Sequence, residues 1–200
     1  MNIEEQLLTG LKAGVDRHWR YTKELLHIKP EYLLTVAVAD ALTDGFGNFH
    51  GLDIQIRLEE PTKSVLFDLV TSSGGLKKWF KEERPKISRK GKVDIFVITD
   101  TTRHAVELKG FDPSAPELEK DLVRLQELLA VNDGANRLAS CHIVFPTLTN
   151  RTQWIEKRTK SVIDSSKSKF QLTQVRHETD EDPEDGIPCY YANCLTLTHS

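Results

Sequence analysis

The chain has 200 residues, of which 38% are hydrophobic and 28% are charged, with 11 glycines and 8 prolines. This balance is typical of a globular domain, and it excludes a wholly disordered or fibrous chain. The 27 Lys and Arg residues stand against 30 Asp and Glu residues. The resulting net charge of −3 does not by itself indicate a nucleic-acid partner.

The three cysteines indicate neither a disulfide framework nor a zinc site, because Cys141, Cys189 and Cys194 form no CxxC pair. The first ten residues include Glu4 and Glu5, and they lack the basic start and apolar block of a signal peptide. No apolar run is long enough to span a bilayer. We therefore expect a soluble, cytoplasmic protein with no membrane partner.

The hydrophobic pattern predicts helices first and strands afterwards. Apolar residues at three-to-four spacing predict an N-terminal helix, and Pro30 restarts a helix over residues 31–42. The glycine-rich segment 43–51 predicts a turn. Apolar and polar residues alternate over 52–58, which predicts a strand, and the apolar segment 64–70 predicts a second strand or an extended piece.

The second half of the chain predicts a hairpin and then alternating helices and strands. Lys92–Thr99 and residues 103–109 both have strand patterns, and the short turn between them favours an antiparallel hairpin. Pro116 opens an amphipathic helix. The remaining predicted elements are a short helix at 74–84, a buried strand at 139–145, a helix at 149–168 and two strands at 170–175 and 190–198. This order predicts an α/β protein with one central mixed sheet flanked by helices.

The residues with the most specific chemistry lie on the predicted hairpin. Asp94 stands in an apolar strand, and the next strand ends in Glu107-Leu108-Lys109. Side chains two apart on a strand share a face, so Glu107 and Lys109 should point together, while Val106 and Leu108 point into the core. The hairpin would then bring Asp94 beside Glu107.

Two adjacent carboxylates and a lysine are the groups that phosphodiester hydrolysis needs. The carboxylates repel one another, and a divalent cation such as Mg²⁺ relieves that repulsion through oxygen coordination. Such a metal lowers the pKa of a bound water and neutralises charge on a phosphate, while the lysine positions the water or stabilises the transition state. The alternative is a surface salt bridge, because Glu-x-Lys is common on exposed strand faces.

Asp94, followed after a turn by Glu107-Leu108-Lys109, resembles the core signature of the PD-(D/E)XK nuclease superfamily, which has the restriction-endonuclease-like fold. The element order is also similar, with a helix before the strands and an amphipathic helix at 117–125 after the Glu-x-Lys strand. Val93 departs from the signature, which has proline at that position.

The resemblance implies a single nuclease-like domain over residues 1–200, with its core over about 24–146 and an elaboration over 149–198. Members typically cleave DNA with Mg²⁺, for which Mn²⁺ can substitute. Asp94 and Glu107 would then bind the metal, and Lys109 would activate or orient water.

Members of the superfamily often add an acidic residue from the first core helix. The resemblance therefore implies Glu31 as a further metal ligand, with Glu24 as the second choice. The alternative for Glu31 is that an acid in the first turn of a helix simply favours the helix dipole. Asp53, on the strand at 52–58, is a weaker candidate that we interpret as solvated.

Positive charge is concentrated just before Asp94. Residues 77–92 hold eight basic residues against Glu82 and Glu83, a local net charge of +6. A basic stretch of this kind can hold a phosphate backbone and steer its approach, which supports DNA as the partner without excluding RNA. The candidate nucleic-acid-binding residues are Lys77, Lys78, Lys81, Arg84, Lys86, Arg89, Lys90 and Lys92.

The other charged and titratable residues are interpreted as structural. The basic excess over 151–169 is typical of a solvated helix face, and the acidic cluster over 178–185 of a solubilising loop. His104 and His142 fall in strand patterns that predict packing, and neither belongs to a nucleophile–base arrangement.

Three function hypotheses remain open. The first is a Mg²⁺-dependent DNA endonuclease, for which double-strand cleavage would require a homodimer because one chain provides one catalytic centre. The second is a non-catalytic, nuclease-like binding or regulatory module within a larger defence or repair assembly. The third is a metal-dependent hydrolase of another phosphate compound.

Overall fold

The structure is a computed structural model that describes residues 2–23, 25, 31–48, 54–71, 91–131, 137–179 and 189–200. Within these residues, five α-helices accompany one six-stranded sheet. The helices are α1 (Ile3–Thr22), α2 (Glu31–Thr43), α3 (Thr62–Thr71), α4 (Ala115–Leu129) and α5 (Thr152–Val162). The strands are β1 (Ile54–Pro61), β2 (Lys92–Thr99), β3 (Arg103–Leu108), β4 (Ser140–Thr147), β5 (Ser168–Glu178) and β6 (Cys189–His199).

The strands form a mixed sheet in the order β1-β2-β3-β4-β6-β5. Strands β3 and β4 are parallel and are joined through α4, whereas every other neighbouring pair is antiparallel. The predicted α/β class with a central mixed sheet is therefore confirmed. The predicted hairpin is confirmed as well, because β2 pairs antiparallel with β3 and the Thr99 N–H donates to the Thr102 carbonyl at 2.9 Å.

Hydrophobic side chains bury both faces of the central strands. On one face, α1 and α2 pack against alternate residues of β2 and β3, including Ile95, Val106 and Leu108. On the other face, α3 and α4 pack against Phe96 and Ala105. Strands buried on both faces carry near-continuous apolar runs, which explains why polar residues on β2 and β3 stand out in the sequence.

Helices α1 and α2 approach each other closely at a glycine. A Cβ atom at Gly10 would lie only 2.5 Å from the Cα atom of Val38, so no side chain fits there without a shift of the backbone. This close packing holds α2, the helix that begins at Glu31, against α1.

The start of α4 agrees with the prediction from Pro116. The Ser114 backbone N–H donates to Glu117 Oε2 at 2.8 Å, which is half of a capping box, and Pro116 lies in the first turn. The helix then runs back along the sheet to reach β4. This placement brings one side of α4 over the end of the β2–β3 hairpin.

The prediction of a strand over 64–70 is wrong, because these residues belong to α3. The chain leaves β1 at Pro61, and Thr62 begins the helix with its backbone N–H and Oγ1 both donating to the Gly91 carbonyl, at 2.9 and 2.8 Å. A short apolar run cannot distinguish a strand from a buried helix. The buried residues recur at helical spacing, since they are Val65, Leu66, Leu69 and Val70.

Two other boundaries differ from the sequence predictions. The predicted turn over 43–51 is in its described part a π-helical segment, Asp44–Asn48, that continues α2. The predicted helix over 149–168 is shorter, because Ile163 adopts an extended conformation after α5 and Ser168 already belongs to β5. The predicted helix at 74–84 lies outside the described residues. In the described ranges, no helix has the length and apolar character needed to cross a membrane.

Candidate active site

The end of the β2–β3 hairpin brings two carboxyl groups together. Ile95 pairs with Val106, so the next cross-strand position places Asp94 opposite Glu107. Asp94 Oδ2 accepts the backbone N–H of Leu108 at 2.7 Å, which holds the carboxylate against the neighbouring strand. The charge of Asp94 acts on the Glu107 carboxyl group, so the two groups lie close to each other.

Glu107 is buried beneath α4, with only 1% of its surface exposed. Arg124 Nη2 lies 2.6 Å from Glu107 Oε1. The contact is an ion pair without hydrogen-bond geometry, because Glu107 Oε1 has no hydrogen-bond partner. The alternative of an exposed Glu-x-Lys pair on a strand face therefore does not fit this site.

Lys109 follows β3 directly and is tied to β4, because its backbone N–H donates to the Val144 carbonyl at 3.0 Å. Its ammonium group lies 3.0 Å from Asp121 Oδ2, and both side chains are largely buried. Glu107 and Asp94 are close enough for their charges to act on the same ammonium group. The three residues predicted from the sequence are thus brought together.

Helix α4 contributes two residues that the sequence analysis did not assign to the site. One carboxylate oxygen of Asp121 pairs with the Lys109 ammonium group, and the other accepts a hydrogen bond from Arg124 Nη2 at 2.9 Å. We call Asp94, Glu107, Lys109, Asp121 and Arg124 the hairpin cluster. The available signal was that Asp121 falls within the apolar stripe of α4, whose buried residues include Leu118, Leu122 and Leu125.

Burial raises the pKa of both hairpin carboxyl groups, and for Glu107 the charge of Asp94 raises it further. For Asp94 burial is the largest cause, and it outweighs the Leu108 N–H and the Lys109 charge, which act in the opposite direction. For Glu107 burial and then the charge of Asp94 raise the pKa well above its ordinary value, against the opposing effect of Arg124. The pair therefore favours a bound proton or cation over two bare negative charges.

The pKa of Lys109 is also raised. Burial alone would lower it, but the charge and hydrogen bond of Asp121, followed by the charges of Glu107 and Asp94, outweigh burial. Lys109 is consequently a protonated ammonium group at neutral pH. It can donate hydrogen bonds and stabilise negative charge, but it has no lone pair with which to take a proton.

Glu31 lies next to the hairpin cluster through a backbone contact. Its Oε1 accepts the backbone N–H of Gly110 at 3.4 Å, so the start of α2 is linked to the residue after Lys109. Glu31 is also the acidic residue in the first turn of α2, where it favours the helix dipole. Glu24 and Asp53 lie outside the described residues.

Of the predicted nucleic-acid-binding residues, the structure describes Lys92. Of the eight, Lys77, Lys78, Lys81, Arg84, Lys86, Arg89 and Lys90 lie outside the described residues. Lys92 begins β2 with its side chain 59% exposed, and its ammonium group lies 3.3 Å from Glu59 Oε2.

Four basic residues of the segment 151–169 make ion pairs at the surface, which fits the interpretation of this segment as a solvated face. Arg151 lies 3.2 Å from Asp112, and Arg158 lies 3.5 Å from Glu119. Lys160 and Lys167 have acidic partners within their own segment. Of the acidic cluster over 178–185, the structure describes Glu178 and the residue after it.

The histidines of β3 and β4 are packing residues, as predicted. His104 Nδ1 lies 2.7 Å from Ser140 Oγ, which in turn lies 2.6 Å from His142 Nε2. Burial lowers the pKa of His104 to about 4 and, together with the charge of His104, lowers that of His142 to about 3. Both rings are therefore neutral core groups.

The hairpin carboxylates fit a hard divalent cation with two protein ligands. Mg²⁺ is usually bound through one or two carboxylates and keeps several waters. Asp94 and Glu107 are adjacent, and the buried Glu107 Oε1 has no hydrogen-bond partner. Among the described residues, no group of three or more His, Cys, Asp or Glu side chains is arranged to hold a metal ion. Water or substrate oxygens would have to complete the coordination.

Comparisons with models of protein families, with curated proteins and with solved structures found no match to this chain. Its function must therefore be inferred from the geometry and chemistry of the hairpin cluster. The cluster has three acidic and two basic side chains at the end of a hairpin that is buried on both faces.

Proposed function

We propose that the protein is a metal-dependent endonuclease that hydrolyses phosphodiester bonds in DNA. The observation that carries this proposal is the convergence of Asp94, Glu107 and Lys109 at one end of the β2–β3 hairpin. Two of these groups are carboxylates that favour a cation, and the third is a protonated amine. This is the chemical set that a phosphodiester hydrolase needs.

The order of elements supports a restriction-endonuclease-like core. Helix α2 precedes β1, β2 and β3, and the amphipathic helix α4 follows β3 and leads to β4. Asp94 lies on β2, and Glu107 and Lys109 lie on or directly after β3, in the positions that the resemblance to PD-(D/E)XK nucleases implies. Helix α3 is an additional element between β1 and β2.

Asp94 and Glu107 would hold Mg²⁺, or Mn²⁺ in its place. When bound, the ion lowers the pKa of a coordinated water and neutralises charge on the phosphate. Leu108 holds one oxygen of Asp94 through its N–H, which fixes the orientation of that carboxylate before any ligand arrives. Glu31 is a further acidic residue at the edge of the site, where its Oε1 accepts the backbone N–H of Gly110.

Lys109 acts as a proton donor or charge stabiliser in this proposal. Because Asp121 keeps its ammonium group protonated, Lys109 can orient the attacking water by donating a hydrogen bond to it. The same group can stabilise negative charge that develops on the phosphate oxygens. The role of general base is disfavoured for Lys109, since that role needs a neutral amine.

The substrate assignment depends on the basic segment over 77–92, whose net charge of +6 leads directly into β2. A polyanion is the natural partner of such a segment. We propose DNA as the substrate, with RNA as an outcome of the test. Cleavage of both strands of a duplex would call for a homodimer, since each chain supplies one hairpin cluster.

Cleavage assays test the proposal. Duplex DNA, single-stranded DNA and RNA are incubated with the protein and Mg²⁺ or Mn²⁺, and products are resolved by electrophoresis. Asp94→Ala and Lys109→Ala should abolish cleavage, whereas Asp100→Ala and Lys157→Ala, which alter exposed residues away from the cluster, should not. Cleavage that survives Asp94→Ala would contradict the assigned roles.

One observation favours a second candidate, a non-catalytic nuclease-like module. Arg124 is paired with Glu107, and Asp121 is paired with Lys109. Four of the five charged groups in the hairpin cluster therefore have an ion-pair partner within the protein. A cluster of this kind can be stable without a metal. Calorimetric titration with Mg²⁺ separates the candidates, because a nuclease must bind the ion at the hairpin and a non-catalytic module need not.

A further inference from the structure

Helix α4 holds a buried arginine against the carboxylate pair. Arg124 is 7% exposed, and its Nη2 lies 2.6 Å from Glu107 Oε1. That contact lacks hydrogen-bond geometry, and Glu107 Oε1 makes no other hydrogen bond. The guanidinium therefore neutralises Glu107 by charge without occupying the oxygen's lone pairs in a directed bond.

The same nitrogen has a second and better partner. Arg124 Nη2 donates a hydrogen bond to Asp121 Oδ1 at 2.9 Å, and the two residues lie one helical turn apart on α4. Asp121 is itself 3% exposed and fixed by Lys109. Arg124 can thus give up its contact with Glu107 and remain paired in the interior.

A glycine makes room for the guanidinium. A Cβ atom at Gly91 would lie 2.6 Å from Arg124 Nη1, so the arginine occupies space that any other residue would partly fill. Gly91 directly precedes β2, and its carbonyl accepts hydrogen bonds from the backbone N–H and Oγ1 of Thr62. The position of Arg124 is therefore set from two sides, by Asp121 and by Gly91.

We propose that Arg124 is a positioning residue that acts as a resident counter-cation: it competes with the divalent cation for Glu107 and so sets the metal affinity of the hairpin cluster. The inference rests on the proposed function, in which Asp94 and Glu107 hold the ion. Asp121 anchors the arginine, and Gly91 provides the space from which it reaches Glu107.

The physical reason is that a positive charge a few Å from a metal ligand opposes the binding of a second cation there, and does so strongly in a buried environment. Without a metal, Arg124 keeps Glu107 from standing as an uncompensated buried charge. With a metal, the pairing with Asp121 lets the guanidinium stay buried while Glu107 turns to the ion.

Calorimetric titration of Mn²⁺ into the full chain tests the inference without depending on cleavage. Arg124→Gln removes the charge and should tighten Mn²⁺ binding about tenfold or more, because one opposing charge is lost beside the ligand. Gly91→Ala keeps the charge but displaces the guanidinium from the position in which its Nη2 lies 2.6 Å from Glu107 Oε1, and should tighten Mn²⁺ binding by a smaller factor than Arg124→Gln. Arg124→Lys retains a cation and should stay near the wild-type affinity.

The outcomes separate this inference from the proposed function. If the wild-type protein binds Mn²⁺ at the hairpin and folded Arg124→Gln and Gly91→Ala bind it no more tightly, the counter-cation role is wrong and the metal site stands. If neither the wild type nor the variants bind Mn²⁺, both the metal site and the inference are wrong. If Arg124→Gln does not fold, Gly91→Ala decides, because its clash is with the flexible end of a side chain.

Discussion

The ammonium group of Lys109 lies 3.0 Å from Asp121 Oδ2, which joins the end of strand β3 to helix α4. Both side chains are largely buried, so the pair is not a surface salt bridge of negligible energy. Asp121 also holds Arg124, and it therefore supports both basic residues of the hairpin cluster. The chemistry of the hairpin depends on a residue that lies outside the hairpin.

Replacement of Asp121 should lower the free energy of unfolding and lower the pKa of Lys109. Asp121→Asn leaves two buried cations with one carboxylate fewer, and breaking such a pair costs about 3 kcal/mol of unfolding free energy. The pKa of Lys109 should fall, because burial lowers it and Asp121 is the main group that opposes burial. Urea denaturation measures the first effect, and NMR titration of the lysine Nζ measures the second.

The matched control for this variant is Glu156→Gln, which removes a partner of Lys160 on the exposed face of α5. Surface ion pairs of this type contribute about 0.5 kcal/mol or less. Equal losses of unfolding free energy for Asp121→Asn and Glu156→Gln would mean that the buried ion pair contributes no more to stability than a surface pair.

Acid should destabilise the protein through its buried histidines. His142 is neutral in the folded state with a pKa of about 3, whereas an unfolded histidine takes up a proton near its ordinary value of about 6.5. Its contribution to stability is present above the unfolded pKa and is lost as the pH falls toward the folded one. Between pH 7 and pH 5 this loss is about 2 kcal/mol for one histidine.

The pH dependence of the unfolding free energy must be compared between the wild type and a His142 variant, because Glu107 changes the stability in the opposite direction as the pH falls. Its raised pKa means that the folded state gains relative stability as the pH falls. His142→Gln should therefore remove about 2 kcal/mol from the acid-induced loss seen in the wild-type protein between pH 7 and pH 5. Identical pH profiles of unfolding free energy for the two proteins would show that His142 does not titrate as described.

The hairpin and the positions of Asp94, Glu107 and Lys109 on it could be predicted because the sequence pattern that indicates them is local. Asp94 and Glu107 interrupt apolar strands, and a short turn fixes their register. The burial of the pair could not be read in the same way. It depends on α4 covering that face of the sheet, which is a long-range contact between elements that sequence periodicity does not specify.

The errors have physical reasons that belong to particular segments. Residues of α3 follow a strand directly and form a short apolar run, which strands and buried helices share. Asp121 and Arg124 were missed because charged residues on an amphipathic helix usually face water, and only the contacts with Lys109 and Glu107 show otherwise. Arg124 is nevertheless buried, with 7% of its surface exposed.

The close contact between α1 and α2 should not tolerate a larger residue. Gly10→Ala places a methyl group 2.5 Å from Val38 Cα, and overpacking of this kind costs about 1–3 kcal/mol. Thermal unfolding of this variant can be compared with Thr9→Ala, whose side chain is exposed on the same helix. The expected result is a clear loss of stability for Gly10→Ala and a change within about 0.5 kcal/mol for Thr9→Ala. A neutral effect of Gly10→Ala would contradict the helix packing described.

The most direct test of the proposed nuclease activity is the variant Asp94→Asn, assayed for Mg²⁺-dependent DNA cleavage beside the wild-type protein. Asparagine keeps an oxygen that can accept the Leu108 N–H, so the hairpin should remain folded while one anionic ligand is lost. We predict that the wild-type protein cleaves DNA and that Asp94→Asn, with an unchanged melting temperature, is slower by about 10²-fold or more. Wild-type rates in the folded Asp94→Asn protein, or no cleavage by the wild type with either Mg²⁺ or Mn²⁺, would contradict the assignment.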